Sequence, residues 1–113
     1  MVGPGDPILT SVDPTNSVDY EGELGVVIGP GGRGISEEDA LDHVYGYTVI
    51  NDVTARTLQH RHKQWFISKG LDSFCPTGPV GVRNGYDPPI FLKAGDMVSI
   101  TIDPIGTLKI PVK

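Results

Sequence analysis

Alternation of apolar and polar positions predicts strands along much of the chain. Residues 18–29 place their apolar side chains on one face at a spacing of two, the pattern of a half-buried strand. A second strand is predicted at 46–52, which is rich in aromatic and β-branched residues. Residues 97–112 alternate on both sides of a glycine-containing turn, which predicts a β-hairpin. The apolar face of the first strand carries Tyr20, Leu24, Val26 and Ile28.

Helical signals are concentrated in one short segment near 36–45. Ser36 is placed to cap it, acidic residues follow in its first turn, and the apolar stripe runs through Ala40, Leu41 and Val44. One helix among at least four strands predicts a β-dominated α+β fold.

The stretch from 54 to 67 is ambiguous. Residues 54–59 allow one or two helical turns, while 60–63 has the polarity of an exposed loop. We therefore expect His60 and His62 to be solvated rather than to bind a metal. The apolar run 65–67 is predicted to anchor the loop to the core.

Composition adds limits on size and partners. The 113 residues suffice for one domain, and 15 glycines with 10 prolines favour a fold rich in turns. A net charge of −5 without a basic run argues against nucleic-acid or anionic-membrane binding. A single cysteine excludes a disulfide framework. Since neither a signal peptide nor an apolar span is evident, a cytoplasmic location is expected.

The sequence Glu21-Gly22-Glu23 is the most informative candidate for chemistry. Two residues apart in a strand, both carboxylates point to the same face, with Cα atoms about 6.7 Å apart. Their repulsion is costly unless a cation lies between them, and Mg²⁺ or Mn²⁺ prefers such oxygen ligands. Taken alone, the motif is more often a solvated strand face.

Four further polar residues are candidates, each with a plain structural alternative. Asp52 ends the second strand and can supply a third oxygen ligand or cap the following turn. Arg56 and Gln59, three apart, share a face if helical, and Arg56 can bind a substrate carboxylate or form an ordinary ion pair. Lys69 can hold an anion or a water, or be simply solvated.

Several segments, in this order, resemble the fumarylacetoacetate hydrolase family, specifically its C-terminal catalytic domain. Any one of them is a weak signal, but the ordered set is specific and spans essentially the whole chain. They are Asp19-Tyr-Glu-Gly-Glu-Leu-Gly-Val-Val-Ile-Gly29, Tyr47-Thr-Val-Ile-Asn-Asp-Val-Thr-Ala-Arg-Thr-Leu-Gln59, Gln64-Trp65, Lys69-Gly-Leu-Asp-Ser-Phe74, Thr77-Gly-Pro79, Asp87-Pro-Pro-Ile-Phe-Leu-Lys-Ala-Gly-Asp96 and Ile105-Gly-Thr-Leu108.

This resemblance implies a mixed β-sandwich roll that assembles as a homodimer. It also implies a divalent cation, Mg²⁺ or Mn²⁺ with Ca²⁺ as a further candidate, held by Glu21, Glu23 and Asp52. The family lysine beside the metal corresponds to Lys69, the catalytic candidate. Arg56 and Gln59 correspond to substrate-binding positions.

The implied reaction is hydrolytic C–C cleavage of an acylpyruvate or 1,3-dioxo carboxylate through an enolate that the cation stabilises. Decarboxylation, isomerisation and dehydration of a 2-oxo acid use the same enolate and stay open as alternatives. An inactive fragment or dimer partner is the alternative of another class.

Two departures from the family pattern concern the extent of the domain. Residues 1–113 are interpreted as one domain that lacks the segment expected before Val2, which in several members carries a His–Glu pair for acid–base catalysis. A second segment is expected to be missing near 80–81, where mid-domain motifs run directly into terminal ones.

Overall fold

The computed structural model describes residues 1–78, 92–103 and 106–113. Within these ranges the chain is strand-dominated, and its helical segments are short. The strands are β1 (Val18–Asp19), β2 (Gly22–Ile28), β3 (Val44–Asn51), β4 (Thr54–Ala55), β5 (Thr77–Gly78), β6 (Met97–Ile102) and β7 (Gly106–Pro111). The helices are α1 (Arg56–His62), α2 (Trp65–Lys69) and the 3₁₀ segments Thr10–Val12 and Ala40–His43.

The largest sheet in these ranges has three antiparallel strands in the order β2-β3-β5. Its register places Gly22 opposite Asn51, so the start of β2 lies beside the end of β3. A separate short pair joins β1 to β4, with Asp19 opposite Thr54. Together these pairings bring the Glu21 region to the chain segment that follows β3.

The predicted C-terminal hairpin is confirmed. Strands β6 and β7 pair antiparallel, with Val98 opposite Ile110 and Ile100 opposite Leu108. All four side chains are buried, because the alternating pattern turns one face of the hairpin inward. They join a core that also contains Ile8, Val18, Val49, Val53, Ala55, Leu58, Phe74 and Val112.

The helix predicted near 36–45 is much shorter than its sequence pattern indicates. Only Ala40–His43 is helical, as a 3₁₀ turn. Ser36 and Asp39 do form a cap-like pair, since Asp39 N–H donates to Ser36 Oγ over 3.2 Å. However, Leu41 is 73% exposed, so the apolar stripe has no packing partner in the described chain to extend the helix.

The ambiguous stretch forms two helices, which corrects the loop predicted at 60–63. Helix α1 continues through His62, and α2 follows after two residues. The apolar run 65–67 is not an anchor: Trp65 and Phe66 are 63% and 77% exposed. Ser68 and Leu58 are the residues through which these helices are buried. In the described ranges, no helix has the length and apolarity needed to cross a membrane.

The apolar face predicted for the first strand is exposed in this chain. Leu24, Val26 and Ile28 keep 50%, 49% and 63% of their surface accessible, because no other element of the described chain covers this face of β2. Tyr20 precedes the strand and packs against the core. The join predicted near 80–81 lies outside the described residues.

Candidate metal centre

Three carboxylates meet where β2 begins and β3 ends. The pairing of these strands continues past β3, because Asp52 N–H donates to the Glu21 carbonyl over 2.8 Å. Asn51 Oδ1 accepts the Glu21 N–H over 3.0 Å and fixes the same turn. As a result, Glu21, Glu23 and Asp52 each place one oxygen within 4.8 Å of the others.

Lys69, at the end of α2, inserts its ammonium among these groups. It donates to Glu21 Oε2 over 2.7 Å, to Thr54 Oγ1 over 2.8 Å and to Asp52 Oδ2. All three ammonium protons therefore have acceptors. The side chain is only 18% exposed, so solvent screens these contacts weakly.

The pKa values of Glu21, Lys69 and Glu23 respond to this packing in different ways. Burial opposes the charge of Glu21, but hydrogen bonds from Lys69 and Arg56 outweigh it and lower the pKa of Glu21. Burial likewise opposes the charge of Lys69, yet its bonds to Asp52 and Glu21 raise the Lys69 pKa. Burial and the charges of Asp52 and Glu21 raise the pKa of Glu23.

The cluster as a whole holds more negative than positive charge. Its four carboxylates and two cations leave an excess of two negative charges when all are ionised. Glu23 carries this imbalance most directly, because its neighbours raise its pKa instead of lowering it. The carboxylates are Asp19, Glu21, Glu23 and Asp52, and the cations are Arg56 and Lys69.

Arg56, predicted to bind substrate, is held by three protein side chains. Its Nη2 lies 2.6 Å from Glu21 Oε1 and 2.9 Å from Asp19 Oδ2. Its Nε donates to the same Asp19 oxygen over 3.0 Å, and Nη1 donates to Gln59 Oε1 over 3.1 Å. Asp19 was missed as a site residue, although its spacing of two from Glu21 continues the acidic pattern.

The start of α1, which carries Arg56, is fixed by a segment far away in sequence. The Ser17 carbonyl accepts the Arg56 N–H over 3.0 Å, and Ser17 Oγ accepts the Thr57 N–H over 2.9 Å. Ser17 is in turn held by Asp13, which is 2% exposed and accepts bonds from Ser17 and Thr15. Asp13 thus supports the helix terminus that places Arg56.

Replacing Asp13 with alanine is expected to lower the free energy of unfolding by about 2–3 kcal/mol, since buried donors lose a charged acceptor. Burial raises the pKa of Asp13, but the hydrogen bonds from Thr15 and Ser17 lower it by more than burial raises it. The pKa of Asp13 in the folded chain is therefore below its ordinary value. The stabilisation is present above the unfolded-state pKa and is lost as pH falls through the lower folded value. Urea unfolding at pH 7 and pH 3 measures both effects.

The exposed Asp42→Ala variant is the matched control and should unfold within about 0.5 kcal/mol of the unmodified chain. If Asp13→Ala were equally mild, or if its effect were the same at both pH values, the role given to Asp13 would be wrong.

A cavity of about 520 Å³ opens beside the carboxylates. Its walls include four of the predicted site residues together with His60, which lies on α1 instead of a loop. Thus the structure brings all six predicted site residues into one region. The lining residues are Glu21, Arg56, Gln59, His60, Lys63, Trp65 and Lys69.

Comparison with known proteins identifies the family. The family model described as "Fumarylacetoacetate (FAA) hydrolase C-terminal" matches residues 1–85, which is most of the chain. The chain belongs to the fumarylacetoacetate hydrolase family. This confirms the resemblance inferred from the ordered motifs.

Curated relatives in this family are longer proteins. The chain is 38% identical over 169 residues to oxaloacetate tautomerase YisK of Bacillus subtilis, covering 96% of this chain and 56% of that protein. It is 34% identical over 175 residues to the mitochondrial oxaloacetate tautomerase of Xenopus laevis, covering 99% and 54%. Since the first match runs over 169 residues against 113 here, the relative carries at least 56 residues in the matched region that this chain lacks.

Solved structures show the same fold. The fumarylacetoacetate hydrolase of Exiguobacterium antarcticum superposes with a TM-score of 0.90 at 34% identity. The match covers 98% of this chain and 62% of that one. The predicted strand-dominated fold of this family is therefore confirmed.

Proposed function

We propose that the chain binds a divalent cation through Glu21, Glu23 and Asp52 and acts on a small 2-oxo acid. The observation that carries this proposal is the convergence of three carboxylate oxygens within 4.8 Å of one another beside an open cavity. Lys69 and Arg56 offset part of the repulsion among these carboxylates, and the negative charge that remains favours a bound cation.

The donor set fits a hard divalent ion. All three candidate ligands are carboxylates, which suit Mg²⁺, Mn²⁺ or Ca²⁺ and disfavour soft metals. The excess of two negative charges equals the charge of one such ion. Burial and repulsion from Asp52 and Glu21 raise the pKa of Glu23, in keeping with this excess of negative charge. A bound divalent ion supplies Lewis-acid stabilisation of negative charge on substrate oxygens.

Lys69 is proposed as the catalytic residue that faces the oxygen where charge develops. Its raised pKa keeps the ammonium protonated at neutral pH, so it acts as a donor and not as a base. A substrate or water oxygen can reach it by replacing the Thr54 hydroxyl. That neutral acceptor is held less strongly than the two carboxylates, since charge-assisted bonds are roughly twice as strong.

The cavity walls match the size and polarity of a small acid. Lys63 and His60 line the wall together with Gln59, and Trp65 adds an apolar surface. Cationic and amide groups on this wall can hold the carboxylate of a 2-oxo acid while its keto oxygen faces Lys69.

The proposed reaction is hydrolytic C–C cleavage of an acylpyruvate. A second candidate, keto–enol tautomerisation of a 2-oxo dicarboxylate, is favoured because two relatives that cover nearly all of this chain are oxaloacetate tautomerases. Both reactions need an enolate oxygen stabilised by positive charge, so the site supports them with the same residues.

Turnover with and without Mn²⁺ tests the proposal. We expect the unmodified chain to consume acetylpyruvate or to accelerate the enol–keto conversion of oxaloacetate, each followed by ultraviolet absorbance, and to lose activity with a chelator. Uncatalysed rates in both assays with Mn²⁺ bound would overturn the enzymatic proposal and favour the inactive-fragment alternative.

A homodimer and a cytoplasmic location remain predictions. We propose that the exposed apolar face of β2 lies in the dimer interface, since accessible apolar edge strands favour association. Light scattering on the unmodified chain and on Val26→Asp tests this, with a dimer expected for the first and a monomer for the second. A monomeric unmodified chain would contradict the dimer, and cell fractionation checks the location.

A further inference from the structure

The guanidinium of Arg56 has no free edge with which to grip a carboxylate. A bidentate grip requires two parallel N–H groups on one edge of the guanidinium plane. Asp19 Oδ2 fills the Nε/Nη2 edge, at 3.0 and 2.9 Å. Glu21 Oε1 and Gln59 Oε1 fill the Nη1/Nη2 edge, at 2.6 and 3.1 Å.

We propose that Arg56 and Asp19 form a positioning pair that fixes Glu21 for cation binding, instead of contacting substrate. This inference rests on the proposed metal site and adds Asp19 to it. Arg56 takes Oε1 of Glu21, whereas Lys69 takes Oε2 and also bridges to Asp52. The oxygen on the Asp52 side is therefore Oε2, and Arg56 secures the carboxylate through its other oxygen.

Asp19 gives Arg56 a fixed direction. Its Oδ1 accepts the Tyr20 N–H over 2.9 Å, which orients the carboxylate, and its Oδ2 receives both Nε and Nη2. The pairing of β1 with β4 sets the spacing, since Asp19 lies opposite Thr54 and Arg56 follows β4 directly. Both side chains are largely buried, at 18% and 26% exposure.

The roles of Arg56 and Lys69 are therefore opposed, although both are cations. Lys69 occupies the oxygens that a cation would share, so its charge competes with that cation. Arg56 occupies the distant oxygen and limits the rotation of the Glu21 side chain. Groups that orient metal ligands in this way typically change metal affinity 10- to 100-fold when removed.

Mn²⁺ affinity, measured by calorimetry, separates positioning from substrate binding. Arg56→Lys keeps the charge but loses the planar fork that reaches Asp19, Glu21 and Gln59, so we expect affinity to fall by about 10-fold or more. Asp19→Asn should weaken binding similarly. The double variant should bind no more weakly than Arg56→Lys alone, because Asp19 acts through Arg56. Arg61→Lys, on the exposed part of the same helix, is the matched control and should bind as the unmodified chain does.

Each outcome has a distinct meaning. Unchanged Mn²⁺ affinity in Arg56→Lys, with a raised KM for the 2-oxo acid, would overturn the positioning role and restore a substrate contact. Additive losses in the double variant would also overturn it, since they indicate independent effects of charge. An unmodified chain that binds no Mn²⁺ would overturn the metal site itself. Circular dichroism and the melting temperature verify folding. If Arg56→Lys unfolds, the Mn²⁺ affinity of Asp19→Asn tests the positioning pair instead.

Discussion

Replacing Glu23 with alanine is expected to weaken Mn²⁺ binding by about 100-fold or more while the chain stays folded. Burial and the charges of Asp52 and Glu21 raise the pKa of Glu23, so its ionised carboxylate is destabilised in the metal-free chain. A bound cation would remove that repulsion and use the Glu23 charge. Isothermal titration calorimetry measures the affinity directly. In the metal-free chain, the isosteric Glu23→Gln should raise the melting temperature at pH 7, because it removes that repulsion.

A surface carboxylate serves as the control for this variant. Glu38 is exposed and distant in the chain, and Glu38→Ala should bind Mn²⁺ as the unmodified protein does. Acidification should also weaken binding, since the raised pKa of Glu23 lets protons compete at a higher pH than for an ordinary carboxylate. Equal affinities in Glu23→Ala and the unmodified chain would remove Glu23 from the site.

Replacing Lys69 with methionine should reduce turnover by roughly 10²–10³-fold and leave Mn²⁺ affinity at least as high as before. Removing an oriented donor from a developing oxyanion costs about that factor. Removing the ammonium also frees Glu21 Oε2 and Asp52 Oδ2 for the cation. Steady-state kinetics at saturating Mn²⁺, with calorimetry in parallel, separates the two effects.

The same variant should change stability in a metal-dependent way. Without Lys69, Glu21 and Asp52 lose their shared partner, so the metal-free melting temperature should fall. Mn²⁺ should then raise it by more than in the unmodified chain, because the ion replaces the missing charge. The exposed Lys109→Met is the control. Unchanged turnover in Lys69→Met would show that this ammonium does not act on substrate.

Much of the strand content could be predicted because local periodicity decides it. The hairpin from Met97 to Pro111 follows from alternation alone, and its buried face is the predicted one. The same alternation wrongly predicted a buried face at Leu24 and Val26, which are exposed. A period of two identifies the apolar face but not whether another element covers it.

Part of the site could be predicted from the sequence for a different reason. Glu21 and Glu23 are two apart, so strand geometry alone suggests that they act together. Asp52 and Lys69 join them through strand pairing and helix placement, which no spacing in the sequence specifies. The sequence alone made both residues candidates with structural alternatives, and only the family resemblance assigned them to the site.

Helix α1 shows what local sequence could not specify. Its first N–H groups are bound by Ser17, some forty positions earlier, and not by a cap of its own. Because no local cap signals this helix, the polar run at 60–63 was interpreted as a loop. Asp19 was missed for a related reason: its partner Arg56 is distant in sequence and meets it only through the β1–β4 pairing.

Anomalous diffraction at the manganese edge, from crystals of the unmodified chain grown with Mn²⁺, would locate the bound cation. We expect one anomalous peak within roughly 2.0–2.6 Å of carboxylate oxygens of Glu21, Glu23 and Asp52, the range for hard cations and oxygen ligands. A peak bound elsewhere, or none at saturating Mn²⁺, would contradict this expectation.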